Sequence, residues 1–298
     1  MRLLECVPNI SEGREQDKIA SIAEEVRRHK EVKLLDVSSD KDHNRTVLTF
    51  IGEPKAVKDA AFSLALKAID LIDMREHRGG HPRLGAVDVV PFVPIQGVEI
   101  KEAVQIVREF GKELGRRGIP IFFYEEAATR PERKDLPNIR RGEYEGLQEK
   151  LKDPVWKPDE GPEDFNPRSG ATVVGARYPL VAYNINLKTQ DLTLAKEMAK
   201  KVRFKDGGFP YVRAMGVELK EKSMVQVSMN LTNYKVTNIP EVYNFIKGEA
   251  LKKGIEIGGS EIVGLIPLTV LEGFIQHYLK YPEFSIRQVI EQRILEFE

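Results

Sequence analysis

One of the five histidines in the sequence, His81, has neighbours that are typical of a catalytic or ligand-binding residue. It follows Gly79 and Gly80 and precedes Pro82. Glycines allow a ligand or another backbone to come close, and the proline disfavours helical backbone at His81. An imidazole with an ordinary pKa of about 6.5 can take up and release a proton near neutral pH. We therefore predict that His81 is a ligand-facing acid–base residue, with a turn or capping histidine as the alternative.

His77 and His81 have the four-residue spacing of two zinc ligands on a helix, but the residues around them do not favour such a site. Two histidines four residues apart bind zinc when both lie on one face of a helix. Gly79, Gly80 and Pro82 are incompatible with a regular helix at this point. The sequence also lacks a phosphate-binding loop, a dinucleotide-binding fingerprint and a nucleophile elbow. We predict no metal in the site.

Three arginines beside turns form a second set of candidates. They are Arg45, Arg83 and Arg177. A guanidinium group binds a carboxylate through two parallel hydrogen bonds, so these side chains suit a dicarboxylate ligand. A surface ion pair is the commoner role of an arginine and stays the alternative for each. These residues alone indicate a small-molecule enzyme or a ligand-binding protein without naming the ligand.

A segment rich in proline and glycine lies near the middle of the chain. Residues 156–170 contain three prolines and two glycines, which disfavours a helix or a central strand. Long irregular segments of compact domains are usually functional or disordered, and Trp156 and Phe165 argue against disorder. We predict an ordered segment that either contacts a ligand or links two domains.

Hydrophobic periodicity predicts two similar halves that position these residues. In the first half, strands are predicted at 3–9, 32–38, 46–52 and 86–94 and helices at 16–28 and 54–72. The second half repeats this order with strands at 180–187, 212–220, 224–231 and 255–257 and helices at 192–202 and 241–253. Further helices are predicted at 99–114, 268–278 and 285–295, and a short strand at 120–124. The order βαββαβ is typical of the ferredoxin-like unit, so we predict an α/β (α+β) fold with domains at 1–177 and 178–298.

Composition limits the possible classes of function. The 298 residues include 46 Lys plus Arg and 46 Asp plus Glu, so the formal net charge is zero and no nucleic-acid-binding surface is indicated. A hydrophobic content of 41% supports a folded core. No apolar run approaches the ~20 residues that span a bilayer, so we expect no membrane span and a cytoplasmic location. The single cysteine, Cys6, permits no internal disulfide and is expected to be buried.

Several motifs that follow one another along the chain carry a family resemblance. They are ECVPNISEG at 5–13, NRTV at 44–47, HPRLGAVDVVPF at 81–92, GATVVGAR at 170–177, NIN at 184–186, QVSMNL at 226–231 and VGLIP at 263–267. Together they resemble the glutamate formiminotransferase family, in particular the transferase part of formimidoyltransferase-cyclodeaminase. Their order over almost the whole chain makes this resemblance far more specific than any single motif.

The resemblance implies a reaction and an architecture. The reaction is transfer of a formimino group from N-formimino-L-glutamate to N-5 of tetrahydrofolate, a step of histidine degradation that gives 5-formimino-tetrahydrofolate and L-glutamate. Tetrahydrofolate would be a co-substrate, the protein a homodimer, and a separate cyclodeaminase would act on the product. The implied architecture is two ferredoxin-like subdomains with sheets facing across a ligand cleft or tunnel and helices outside.

The resemblance also implies site residues. His81 falls on the active-site histidine of the family. The folate-binding stretch falls on Gly161, Pro162, Glu163, Asp164, Phe165, Asn166, Pro167, Arg168, Ser169 and Gly170. Two other functions stay open: folate-dependent formyl transfer between 5-formyl-tetrahydrofolate and glutamate, and a ferredoxin-like regulatory module that binds an amino acid.

Overall fold

Contacts within the chain divide it into two units, the first ending at Tyr178 and the second beginning at Pro179. The computed structural model describes residues 2–219 and 222–295. Lys220, at the end of the strand predicted at 212–220, lies outside the described residues, as do Met1, Glu221 and residues 296–298 of the predicted domains. Each unit has a hydrophobic core of its own.

The first unit contains one sheet of seven strands. Its elements are β1 (Leu3–Cys6), β2 (Asn9–Ile10), α1 (Gln16–Arg27), β3 (Val32–Asp40), β4 (Arg45–Gly52), α2 (Pro54–Leu71), β5 (Val87–Gln96), α3 (Ile100–Gly115), β6 (Ile121–Glu125), α4 (Leu136–Arg140), α5 (Glu143–Lys150) and β7 (Thr172–Ala176). β1 pairs with β4 and β5, β3 pairs with β4, and all of these pairs are antiparallel. This is the ferredoxin-like order, and β7 and β6 extend it in parallel beyond β5.

The second unit contains four antiparallel strands. Its elements are β8 (Val181–Leu187), α6 (Leu192–Val202), β9 (Val212–Leu219), β10 (Met224–Leu231), α7 (Ile239–Lys252), β11 (Ile257–Val263), α8 (Thr269–Tyr278) and α9 (Ile290–Leu295). The sheet has the order β11-β8-β10-β9, again that of a ferredoxin-like unit. The predicted fold class of two ferredoxin-like subdomains is confirmed.

Several elements differ from the prediction, and α4 and α5 were not predicted. The first predicted strand is split into β1 and β2. β7 was not predicted, because TVVGA is a short apolar run that ends with a glycine and an alanine. β11 continues to Val263 through a register shift at its glycines, which look like a turn in the sequence. The helix predicted at 285–295 is a 3₁₀ turn followed by the short α9.

Alternation along the strands separates two faces of the first sheet. Leu4, Cys6 and Phe50 are fully buried in the core that also contains side chains of α1, α2 and α3. Because successive side chains of a strand point to opposite faces, Glu5 and Arg45 lie on the other face. Burial raises the pKa of Cys6 well above its ordinary value, and its position in the core agrees with the apolar role predicted for it. No helix in the described parts of the chain is long and apolar enough to cross a membrane.

Candidate functional site

The loop that carries His81, residues 77–86, is called the histidine loop below. It packs tightly against the turn between β3 and β4. The Gly80 N–H donates to the Asp42 carbonyl oxygen over 3.1 Å. A Cβ atom added to Gly79 would lie 2.3 Å from the His43 carbonyl oxygen, so only glycine permits this approach. The glycines of the loop therefore serve a backbone contact that holds His81 in place.

The ring of His81 contacts Arg45. Arg45 Nη1 donates to His81 Nε2 over 2.6 Å, which leaves the ring proton of the neutral imidazole on Nδ1. His81 Nδ1 is buried, and its only interaction among the described residues is a weak one with the Pro82 backbone. The His43 ring meets the His81 ring edge-on at a centroid distance of 6.0 Å, and its own Nδ1 lies 2.7 Å from Asp40 Oδ2. A buried polar atom without a strong partner costs free energy and is typical of a functional site.

The surroundings of His81 lower its pKa to about 3. Burial is the largest cause, followed by the positive charges of Arg45 and Arg140. His81 is therefore neutral at physiological pH and a weak base in the unliganded chain. The ordinary pKa of about 6.5, on which the sequence argument depended, does not apply to the unliganded chain.

Arg45 is the predicted arginine that is best placed to bind a carboxylate. Its side chain is partly buried, its hydrogen bond goes to neutral His81, and it makes no ion pair within the residues that the structure describes. Burial lowers the pKa of Arg45, and the charge of Arg140 lowers it further. A desolvated guanidinium without a carboxylate partner is a strong binding group for an anionic ligand.

Arg140, at the end of α4, is a site residue that the sequence analysis missed. It forms an ion pair with Asp88, and its Nε is buried without a hydrogen-bond partner among the described residues. Asp88 Oδ1 accepts a hydrogen bond from the Leu84 N–H over 2.9 Å, which ties the pair to the histidine loop. No local pattern marks Arg140, because its contact with Asp88 joins positions 52 residues apart in sequence.

Arg83 contacts protein groups in this structure. Its side chain is buried and donates to Glu145 Oε1 over 2.6 Å and to Glu143 Oε2 over 3.0 Å. Arg83 Nε donates to His77 Nδ1 over 3.2 Å, and His77 Nε2 donates to the Asn44 carbonyl oxygen over 2.9 Å. These contacts make His77 a structural histidine. The role of Arg83 in binding a substrate carboxylate stays a prediction.

Arg177 follows β7 and belongs to a separate group of polar side chains. Burial raises the pKa of Glu5 and raises that of Tyr124 to about 12. The positive charge of Arg177 opposes both increases. The charge of Arg140 also acts on Tyr124, so Arg140 lies within electrostatic reach of both this group and the site histidine. Arg177 Nη1 donates to the Tyr178 carbonyl oxygen over 3.0 Å, and no contact among the described residues joins it to the His81 ring as one joins Arg45.

Residues 161–170, called the central segment below, fold against the histidine loop. Gly170 has a φ of +65°, and a Cβ atom there would lie 2.0 Å from the Leu84 carbonyl oxygen. The Ala86 N–H donates to the Ser169 carbonyl oxygen over 2.9 Å. Ser169 Oγ is buried without a hydrogen-bond partner in the described part of the chain. The predicted folate-binding stretch therefore contacts residues 84–86 of the loop that carries the predicted catalytic histidine.

Hydrogen bonds within the central segment give it a defined shape. Asn166 Oδ1 accepts from the backbone N–H groups of Arg168 and Ser169, each over 3.1 Å. The rings of Phe165 and Tyr144 lie 5.4 Å apart. Five side chains or glycines of the segment are exposed, namely Gly161, Glu163, Asp164, Pro167 and Arg168. The segment therefore combines a fixed backbone with polar groups that a ligand can reach.

The described residues contain no group of three or more His, Cys, Asp and Glu side chains that could hold a metal ion. The groups around the neutral His81 imidazole include the His43 ring and the guanidinium groups of Arg45 and Arg140. The guanidinium groups suit an anionic ligand such as a carboxylate.

Comparison with known proteins assigns the family. The model of the formiminotransferase domain, N-terminal subdomain, matches residues 3–177, and that of the formiminotransferase domain matches residues 182–296. The chain belongs to the formiminotransferase family. The resemblance noted in the sequence is thereby confirmed.

Relatives of this formiminotransferase chain include proteins of similar length. A glutamate formimidoyltransferase of Streptococcus pyogenes serotype M1 is 42% identical over 99% of each chain. A glutamate formimidoyltransferase of Thermoplasma acidophilum is 43% identical over 99% of this chain and 98% of its own. The formimidoyltransferase-cyclodeaminase of Rattus norvegicus is 45% identical over 91% of this chain and 51% of its own length.

Three of the motifs that carry the resemblance meet in this formiminotransferase chain. Ser11 Oγ, from the first motif, donates to the Gly85 carbonyl oxygen of the histidine loop over 2.7 Å. Asn44 Oδ1, from the second motif, accepts from the Gly13 N–H over 2.9 Å. The motif side chains thus hold together the backbone on which His81 and Arg45 stand.

Proposed function

We propose that this chain transfers the formimino group of N-formimino-L-glutamate to N-5 of tetrahydrofolate, giving 5-formimino-tetrahydrofolate and L-glutamate. The observation that carries the proposal is the pairing of neutral, largely buried His81 with Arg45, which has no carboxylate partner in the described chain. One group accepts a proton and the other binds an anionic substrate. The two relatives of similar length, both named glutamate formimidoyltransferase, support the same reaction.

Substrate binding activates the histidine in this proposal. A carboxylate of formiminoglutamate takes the N–H of Arg45 that now donates to His81 Nε2. The lone pair on Nε2 then becomes available, and the bound negative charge raises the pKa of His81 by offsetting the nearby guanidinium charge. The imidazole thus becomes a competent base when its substrate is present.

Proton transfer then accompanies the chemical step. N-5 of tetrahydrofolate attacks the formimino carbon and forms a tetrahedral intermediate. His81 accepts the proton from N-5 and delivers it to the glutamate nitrogen, which leaves as an amine when its bond to the carbon breaks. Such a relay typically contributes ~10²- to 10⁴-fold to the rate, and correct placement of two substrates contributes more.

The central segment is our candidate for folate binding. It is ordered against the histidine loop, has exposed polar side chains, and places the unpartnered Ser169 Oγ beside that loop. A complex with 5-formyl-tetrahydrofolate provides the test, because contact between the folate and residues 161–170 is the expected result. A folate bound beyond contact distance of the whole segment would leave it with only a linking role.

The reaction itself is tested by incubating the protein with tetrahydrofolate and formiminoglutamate. Product is measured by its absorbance after acid converts 5-formimino-tetrahydrofolate to the cyclised form. A parallel incubation with 5-formyl-tetrahydrofolate and glutamate tests the formyl alternative. Turnover of the formyl pair but not the formimino pair would overturn the proposal.

We further propose that the protein acts in the cytoplasm as a homodimer and passes its product to a separate cyclodeaminase. The family resemblance supports each part. Sedimentation at enzyme concentrations used in assays should give the mass of a dimer, and a monomer under those conditions would contradict this part of the proposal.

A further inference from the structure

The second unit contains a cluster of polar side chains that has no role in the proposed mechanism. Its members are Asn184 and Asn186 on β8, Gln226 on β10 and Glu261 on β11. They alternate with core side chains such as Ile185 and therefore share the sheet face that the helices do not cover. The three amide residues are each at most 8% exposed, whereas Glu261 is exposed. Nearly buried amides are normally hydrogen-bonded, so the groups of the cluster that have no protein partner are available to a ligand.

Hydrogen bonds inside the cluster fix the orientation of every amide. Gln226 Nε2 donates to Asn186 Oδ1 over 2.8 Å and to Glu261 Oε1 over 2.9 Å. Asn184 Nδ2 donates to the same carboxylate oxygen over 3.1 Å. A carboxylate only accepts hydrogen bonds, so the nitrogens of Gln226 and Asn184 must face Glu261, and the oxygen of Asn186 must face Gln226.

This arrangement leaves a defined set of binding groups. Asn184 Oδ1, Gln226 Oε1 and Glu261 Oε2 accept no hydrogen bond from the described residues, and Asn186 Nδ2 donates none to them. The cluster therefore offers three acceptors, one of them on a carboxylate, and a single donor. Its complement is a ligand with several N–H groups and one acceptor.

The surface beside the cluster is open. Gly259 is the residue opposite Asn186 in the register between β11 and β8. It has a φ of +130°, which L side chains rarely adopt, and a Cβ atom there would meet nothing within 4 Å. The absence of a side chain at this position leaves room for a flat group next to the amide of Asn186.

We propose that the cluster binds a planar N–C–N edge that carries N–H groups. Glu261 Oε2 and a neighbouring amide oxygen accept the two N–H groups, as a carboxylate does when it pairs with a guanidinium, and Asn186 Nδ2 donates to an adjacent acceptor. The inference depends on the proposed function, because both of its substrates carry such an edge. One is the 2-aminopyrimidinone edge of the pterin ring, and the other is the formimino group.

Glu261→Gln tests the inference with little change in shape. One oxygen of the new amide still accepts from Asn184 and Gln226, but a donor replaces the acceptor that the ligand would use. We expect affinity for one of the two ligands, 5-formyl-tetrahydrofolate or formiminoglutamate, to fall by about 10-fold or more in calorimetric titrations. The ligand that loses affinity identifies which edge the cluster binds.

Glu256→Gln is the matched control. Glu256 lies on the same unit, is 75% exposed and pairs with Lys188 over 2.8 Å, so its neutral variant should bind both ligands as the wild type does. If Glu261→Gln is too unstable to titrate, Asn186→Asp is used, since it keeps the oxygen that accepts from Gln226 and removes the free donor.

Two results separate failure of this inference from failure of the proposed function. Wild-type affinities for both ligands in a folded Glu261→Gln or Asn186→Asp protein, together with normal wild-type turnover, would overturn only the role of the cluster. Absence of formimino transfer by the wild-type protein would overturn the proposed function. Weaker binding of either ligand to the variants supports the proposed binding role of the cluster, whatever the turnover of the wild-type protein.

Discussion

Proton affinity at His81 depends on how the guanidinium charges around it are balanced. In the unliganded chain burial is the main cause of the low pKa, and Arg45 and Arg140 add to it. An anion that binds these arginines therefore makes His81 more basic. Binding of the anionic substrate would therefore also raise the pKa of His81 and make it a better base.

Replacement of His81 by alanine should remove the proton relay while leaving folate binding nearly unchanged. The expected fall in kcat is about 10²-fold or more, because the lost interaction belongs to the transition state. His277→Ala, in α8 of the second unit, is the control and should retain activity. Wild-type turnover by folded His81→Ala protein would reject the assignment.

Arg45→Gln should change both the titration of His81 and substrate binding. Loss of the neighbouring positive charge should move the pKa of His81 upward from about 3, as followed by NMR of the ring C–H groups. KM for formiminoglutamate should rise by about 10-fold or more, since a charged hydrogen bond is lost. Arg27→Gln, which removes an exposed arginine paired with Glu24 over 3.4 Å, should leave both quantities unchanged. An unaltered His81 titration in Arg45→Gln would contradict the structure of the pair.

Local patterns predict most elements of this fold but not the contacts that complete the site. β10 alternates strictly and α6 has one apolar stripe, so each is visible within a short window. β7 has neither signal, because it is a short strand that becomes buried only by pairing with β5 and β6. The sequence indicated Arg45 and His81 separately, whereas their contact and the presence of Arg140 depend on how distant elements pack.

Gly170→Ala should destabilise the junction between the central segment and the histidine loop. Its positive φ and the 2.0 Å approach to the Leu84 carbonyl oxygen exclude a side chain, so we expect a loss of about 1–3 kcal/mol in the free energy of unfolding. Gly248→Ala is the control. Gly248 lies inside α7 with open space around it, and alanine there should stabilise by about 0.5–1 kcal/mol. Urea denaturation measures both, and equal stability of the two variants would contradict the close approach.

Stability of the whole molecule should depend on pH around neutrality. The pKa values of His81 and His77 are lowered by folding, so below the ordinary pKa of about 6.5 the unfolded chain binds more protons than the folded one. The free energy of unfolding should therefore rise with pH between about 5 and 7.5, above the range in which carboxylates titrate. Urea denaturation of His81→Ala should show a smaller rise. A slope identical to that of the wild type would mean that His81 titrates normally in the folded protein.

The position of Cys6 makes the folded protein inert toward thiol reagents. The only cysteine of the chain lies fully buried on β1, which pairs with β4 on one side and β5 on the other. Alkylation needs an accessible thiolate, and burial denies the reagent both access and the ionised form. A fluorescent maleimide should therefore label a cysteine introduced on the surface without prior removal of Cys6. The rate at which the natural protein is labelled would in turn measure how often β1 separates from its neighbours.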